Sequence, residues 1–159
     1  MKQIFITGHG GPEKPVLPPV YFLLALIVMV ALHYVVPIAQ LIHSPFRYTG
    51  IVLVVSAIAL VLWAAVFFQR AGTTIKPFQK SSALITRGPY RITRNPMYVG
   101  LVGALLGIAV LLGSVTPFLV VPAFAALIQS KFIRAEEAAL ESTFGSVFVD
   151  YKSKVRRWL

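Results

Sequence analysis

The sequence predicts an all-α, polytopic membrane domain: a bundle of about four transmembrane helices including a helix-turn-helix hairpin, followed by a cytoplasmic C-terminal helix. Three observations carry this. Of 159 residues, 57% are hydrophobic and 13% charged, whereas soluble domains run at roughly 45–50% and about 25%. The apolar residues gather into four runs, the first two close to the ~20 residues that cross a bilayer core. Between the second and third runs lies a polar stretch, residues 85–100, with three arginines, two tyrosines, several Gly and Pro, and no acid.

Residues 1–19 are polar and rich in Gly and Pro, and read as a cytoplasmic lead-in to a single domain covering 1–159. The apolar stretch behind them starts late and carries no small-residue cleavage pattern, so a cleavable signal is not expected. The first run, residues 20–36, is uncharged with one polar interruption, His33; the second, 51–68, has no charge. These form two transmembrane helices within 20–68. Residues 69–96 form a polar loop. The shorter runs 97–112 and 115–128 are separated by Gly113 and Ser114 and read as a hairpin spanning 97–133, with Pro122 expected to kink its second arm.

From Ser130 onward the chain reads as helix, leading into the closing tail 134–159: Phe132, Glu136, Leu140 and Phe144 recur at four-residue steps, the spacing of one helix face. Gly145 interrupts it. Beyond, Phe148, Tyr151 and Val155 give a basic amphipathic segment suited to the membrane surface.

Charge sets the expected topology. The 69–96 loop has six cations (Arg70, Lys76, Lys80, Arg87, Arg91, Arg94) and no acid; the 40–50 loop has only Arg47. Positive-inside bias puts the long loop, the tail and both termini in the cytoplasm, at a bacterial inner membrane. The net charge of +10 sits beside apolar spans, which fits membrane lipid headgroups better than nucleic acid. Cysteine is absent, so thiolate metal sites and cysteine nucleophiles are excluded. His9, His33 and His43 are scattered without ligand spacing, and no metal is expected.

The chemistry concentrates in two places. Asn95-Pro96 reads as an N-cap followed by proline at the first helical position, which sets free N–H groups and a positive helix end beside Arg94, a combination able to hold a carboxylate or phosphate. Tyr90 and Tyr98 add aromatic faces for a stacked base or a cation, although interfacial tyrosines are common. Glu136 and Glu137 lie one turn past the hairpin, which returns them to the same membrane face; spacing does not say which points inward. Gly100, Gly103 and Gly107 stripe the third helix and read first as a close-packing face, with room for a cofactor ring as the functional variant.

These stretches resemble the isoprenylcysteine carboxyl methyltransferase family, in its bacterial phospholipid-methyltransferase-like branch. The resemblance runs from about Ser82 to Tyr151. It is carried by Leu84-Ile85, Gly88-Pro89-Tyr90, Arg94-Asn95-Pro96-Met97-Tyr98-Val99-Gly100, then Arg134-Ala135-Glu136-Glu137, Phe144-Gly145 and Tyr151. It implies a membrane methyltransferase using S-adenosylmethionine, released as S-adenosylhomocysteine. Carried over by position, cofactor contacts fall on Ser82, Ala83, Leu84, Ile85, Tyr90, Arg94, Asn95, Pro96, Met97, Tyr98 and Glu136. Glu137 and Arg134 are the candidate catalytic residues, Glu137 as a base for an acceptor that must lose a proton. The family often has an arginine four residues before the first glutamate. Phe132 stands there instead, which weakens the case for a carboxylate acceptor.

The implied partners are membrane lipid and a lipophilic small-molecule acceptor drawn sideways from it; a dry site at the membrane edge favours a displacement in which opposite charges neutralise. Two other classes remain: an NADPH-dependent membrane reductase of the steroid-reductase kind, and a non-enzymatic lipid-binding or transport bundle. The first lacks a glycine-rich phosphate turn here, and the second would usually show an intramembrane charge.

Overall fold

A computed structural model describes residues 17–70 and 83–159; the lead-in 1–16, Lys76, Lys80 and Ser82 lie outside the described residues. The chain forms α1 (Pro18–Val35), α2 (Thr49–Arg70), α3 (Pro96–Leu112), α4 (Val115–Ile128), α5 (Arg134–Phe144) and α6 (Ser146–Lys154). The first four are the membrane-spanning segments. Three stretches are long and apolar enough to cross a membrane: Pro18–Val35, Phe46–Arg70 and the continuous helical run Val115–Phe144, of which α4 is the apolar front; Pro96–Leu112 is shorter but apolar throughout. A bundle of four such helices, joined by a hairpin, is the expected architecture.

Small residues hold α2 against α3. Gly50, Ala57 and Ala64, seven residues apart, are the buried positions of α2, and they meet the glycine face of α3. A Cβ on Gly107 would lie 2.8 Å from the Gly50 carbonyl oxygen and 2.7 Å from Val54 Cγ2, and one on Gly100 would collide with Val61. In lipid there is no hydrophobic drive between helices, so such backbone-level approach supplies the attraction. The stripe is therefore a packing face, and the variant in which Gly100 and Gly103 make room for a ring does not hold: both turn toward α2.

On the other side of α3, Met29, Leu105, Ala109, Val120, Phe124 and Ile128 form the core with α1 and α4, helped by edge-on ring contacts of Phe22 with Phe124 and Tyr21 with Phe132. The outer faces of α1 and α2, including Leu23, Leu24, Ile27, Ile51, Val52 and Val55, are exposed, as lipid-facing residues should be.

Hydrogen bonds fix which ends lie together. Leu41 and Ile42 N–H donate to the Gly113 carbonyl, and Val115 N–H to Ala39. His33 Nδ1 lies 2.7 Å from Ser114 Oγ. The α1–α2 connection thus docks on the α3–α4 turn, where Gly113 (φ 77°) ends α3. The α2–α3 connection and the tail share the opposite end, the arrangement the charge pattern requires. His33, the lone polar interruption of α1, is accounted for by this pairing.

Two features of the tail differ from expectation. A π-helical turn, Gln129–Ile133, joins α4 to α5. Each residue of an α-helix turns it by ~100°, so one extra residue per turn re-aims everything that follows. The tail breaks into two helices at Gly145 (φ 53°), where the sequence marks the interruption, but the second helix does not lie where its amphipathic pattern suggests. Phe148 and Tyr151, expected to face the bilayer, are buried in the protein at 1% and 8% exposure. The break at Gly145 folds α6 back, so its apolar face finds protein instead of lipid.

Gly107→Ala should cost about 1–3 kcal/mol through overpacking against backbone. Gly103→Ala, whose Cβ would sit 3.4 Å from Ala57 Cβ, should be neutral or slightly stabilising, because alanine favours helix by about 1 kcal/mol over glycine. Thermal midpoints in detergent read this difference; equal effects would contradict the packing assigned to α2 and α3.

Candidate functional site

The polar stretch before α3 is seated on the end of α2 by aromatic contacts. Gly88, at φ 61°, begins a 3-10 turn (Gly88–Arg91). The Phe67 ring occupies the space where a Gly88 side chain would stand. The Tyr90 ring meets Phe68 edge-on, centroids 5.5 Å apart. From the other side the Tyr151 hydroxyl donates to the Tyr90 carbonyl at 2.7 Å. Ala83, Leu84 and Ile85 then line a cleft of about 300 Å³ with Phe67, Arg70, Thr86 and Arg87.

At the start of α3 the chain is stitched to its own C-terminus. Arg94 N–H donates to the Arg156 carbonyl, and Thr93 pairs with Arg156 in a parallel bridge. Thr93 Oγ1 donates to the Arg157 carbonyl at 3.0 Å and accepts from Asn95 N–H. Asn95 occupies the N-cap position and Pro96 the first helical one, as the dipeptide suggests. The Asn95 side chain makes no cap bond, however, and Nδ2 donates instead to the Arg157 carbonyl at 3.0 Å.

The two tail glutamates separate cleanly. Glu136, half-buried, accepts from the Tyr98 hydroxyl at 2.7 Å on Oε1. Glu137 is buried and lies between two guanidinium groups. Arg94 reaches Oε1 through Nε (3.1 Å) and Nη2 (3.0 Å). Arg157 reaches Oε2 through Nη2 (2.6 Å) and both oxygens through Nε (3.2 Å). The remaining nitrogen of Arg94, Nη1, donates to the Lys152 and Val155 carbonyls. Arg94 is thus nearly saturated, while Glu136 keeps one oxygen without a protein donor among the described residues.

Electrostatics follow from this geometry. Burial by itself would raise the Glu137 carboxyl, but the Arg157 hydrogen bonds and the Arg94 charge outweigh it and hold the group below the usual carboxylate range. Glu136 goes the other way: burial raises it, and the Tyr98 hydrogen bond offsets only part of the rise. Burial, then the Tyr151 and Glu136 charges, push the Tyr90 phenol up, and burial lifts Tyr151 to about 12. Hydrogen bonding to Glu137 raises Arg157.

Of the residues singled out in the sequence, Arg94, Asn95, Tyr98, Glu136 and Glu137 come together, with buried Pro96 and half-buried Met97 between them. Tyr90 packs beside this group, and Ala83, Leu84 and Ile85 line the neighbouring cleft. Ser82 lies outside the described residues. The Arg134 side chain is exposed and, among the described residues, makes no ion pair or hydrogen bond, while its backbone N–H donates to the Gln129 carbonyl. The base role expected of Glu137 fits its surroundings poorly, because both oxygens are already held by arginine. Sequence reading missed Thr93, Arg157 and the Trp158 indole, which donates to Gln129 Oε1 at 2.7 Å. The available signal was arithmetic: five acids in the chain, two adjacent beside an apolar span, need nearby cations.

The sequence model of the phospholipid methyltransferase family matches residues 46–147, more than half of the chain. An uncharacterized protein of Haemophilus influenzae is 43% identical over 63 residues, 40% of this chain and the whole length of that relative. No solved structure matches significantly.

A carboxyl whose pKa is lower in the folded protein stabilises the fold above its ordinary value, 4.5, and that contribution drains away as pH falls through the depressed folded value. Glu137→Gln should therefore lower stability by about 3 kcal/mol at neutral pH, the scale of breaking a buried pair. The thermal-midpoint gap to wild type should narrow below pH 4.5. Glu136, whose shift has the opposite sign, is present in both proteins and cancels. A gap that stays constant down to pH 3 would contradict the pairing.

Proposed function

Because the chain belongs to the phospholipid methyltransferase family, we propose that it transfers a methyl group from S-adenosylmethionine to a lipophilic acceptor where α3 begins, at the cytoplasmic face of the membrane. Family membership makes it an integral membrane methyltransferase acting on membrane lipid-related substrates. The cofactor, the acceptor's access from lipid, the residue roles and the cytoplasmic orientation are the proposal.

The observation that carries it is the closure of two chain ends on each other: the first turn of α3 meets the first turn of α5 through Tyr98 and Glu136. The residues fit the cofactor's groups. Glu136 has an oxygen to spare for a ribose hydroxyl or an ammonium. Asn95, anchored through Nδ2, leaves its carbonyl oxygen available, and the start of α3 offers backbone N–H groups to a carboxylate. The cleft lined by Phe67, Ala83, Leu84 and Ile85 offers apolar surface to a base. When bound, S-adenosylmethionine supplies a methyl group activated on a sulfonium.

The chain's own residues would then position and desolvate. Tyr98, its ring in the core and its hydroxyl on Glu136, fixes that carboxylate's direction at the membrane edge. Met97 and Tyr90 bound the same region and exclude water, which strengthens each electrostatic contact there. In this reading Glu137 belongs to the framework rather than to proton transfer. Arg134, exposed at the head of α5, would meet an acceptor's anionic group, and the net positive charge of that face favours anionic lipid nearby.

S-Adenosylhomocysteine should raise the thermal midpoint of the detergent-solubilised protein, and NADPH should not. Tyr98→Phe and Glu136→Gln should each weaken that binding about tenfold or more, the scale of one hydrogen bond to a charged group. Preference for NADPH, or indifference to both ligands, would overturn the reading.

A further inference from the structure

We propose that the C-terminal strap, residues 155–158, sets the register of the site, and that Arg157 is its positioning residue. The strap crosses three separate pieces of chain. Its Arg156 and Arg157 carbonyls receive Arg94 N–H, Thr93 Oγ1 and Asn95 Nδ2. Its Arg157 side chain grips Glu137 on α5, and its Trp158 indole bonds Gln129 in the π-helical turn. The last two of these partners lie on the continuous helical run that carries the tail out of the bundle, and the first lies across the site, where α3 begins.

Each bond has a directional consequence for a side chain assigned above to ligand binding. An asparagine at an N-cap position ordinarily turns its oxygen onto the helix N–H groups, which stabilises the helix start. Asn95 forgoes that bond. With Nδ2 tied to the Arg157 carbonyl, its oxygen is held in one direction. Glu136 and Glu137 are adjacent and so point ~100° apart on α5. Holding Glu137 between Arg94 and Arg157 therefore turns Glu136 toward Tyr98. Among the described residues Arg157 makes no hydrogen bond or ion pair to Tyr98 or Glu136; it acts through Glu137 and through its own backbone. A tail needed only to adhere to headgroups would leave Arg157 facing lipid, as exposed Arg156 is free to do.

The inference rests on the S-adenosylmethionine reading and is tested in the full-length protein in detergent. Wild type, Arg157→Gln and Arg157→Lys are compared for S-adenosylhomocysteine affinity, for thermal midpoint, and for amide exchange over residues 93–95, which needs no ligand. Arg157→Gln should raise the dissociation constant tenfold or more at a temperature where the protein stays folded, and should expose the Arg94 amide. Arg157→Lys should recover part of both. A lowered midpoint with unchanged affinity, or an Arg94 amide that stays protected, would overturn the proposal alone. Wild type that fails to bind S-adenosylhomocysteine would overturn the cofactor reading, and this proposal with it.

Discussion

A carboxylate buried to 6% exposure stays charged only if its surroundings replace water on both oxygens. Glu137 meets that requirement by drawing in two guanidinium groups from opposite directions, Arg94 from the start of α3 and Arg157 from the end of the chain. Arg94 in turn collects the Lys152 and Val155 carbonyls, so charge neutralisation and backbone pairing close the same ring of contacts. This cluster ties the polar loop, α5 and the tail into one body outside the membrane.

The bundle makes that body possible by delivering its parts to one end. Glycine-level packing of α2 on α3, and the docking of the α1–α2 connection on the Gly113 turn, leave little freedom in how the helices sit. The start of α3 and the start of α5 therefore arrive together. Phe67 and Phe68 at the end of α2 then seat the Gly88–Arg91 turn over them. The π-helical turn does the final aiming, rotating α5 so that two adjacent glutamates serve two different partners. The outcome is a division in which Glu137 has both oxygens held by arginine and Glu136, among the described residues, keeps one oxygen without a protein donor.

Much of this was legible in the chain. Apolar run length placed four helices with ends within two residues of those observed, and the Gly113-Ser114 break located the hairpin. Spacing of Gly100, Gly103 and Gly107 announced a packing face, and the Asn95-Pro96 pair fixed where α3 starts. What was illegible depended on contacts between distant residues. The role of Arg157 follows from a fold-back at Gly145 whose direction no local pattern encodes. Basic residues at a chain end beside a membrane read equally well as headgroup ligands. The π-helical turn left no composition signal, so the rotation that decides which of the two glutamates faces Tyr98 could not be anticipated. Asn95 was given the right position and the wrong bond, because its true acceptor lies 62 residues away.

An experimental structure with S-adenosylhomocysteine bound, determined in detergent or lipid nanodiscs, examines the central claim most directly. The account requires ligand density between Asn95, Tyr98 and Glu136, with the Glu137 carboxylate still clasped by Arg94 and Arg157. Ligand found elsewhere, or a cluster in which Glu137 has released both arginines while the ends of α3 and α5 stand apart, would contradict it.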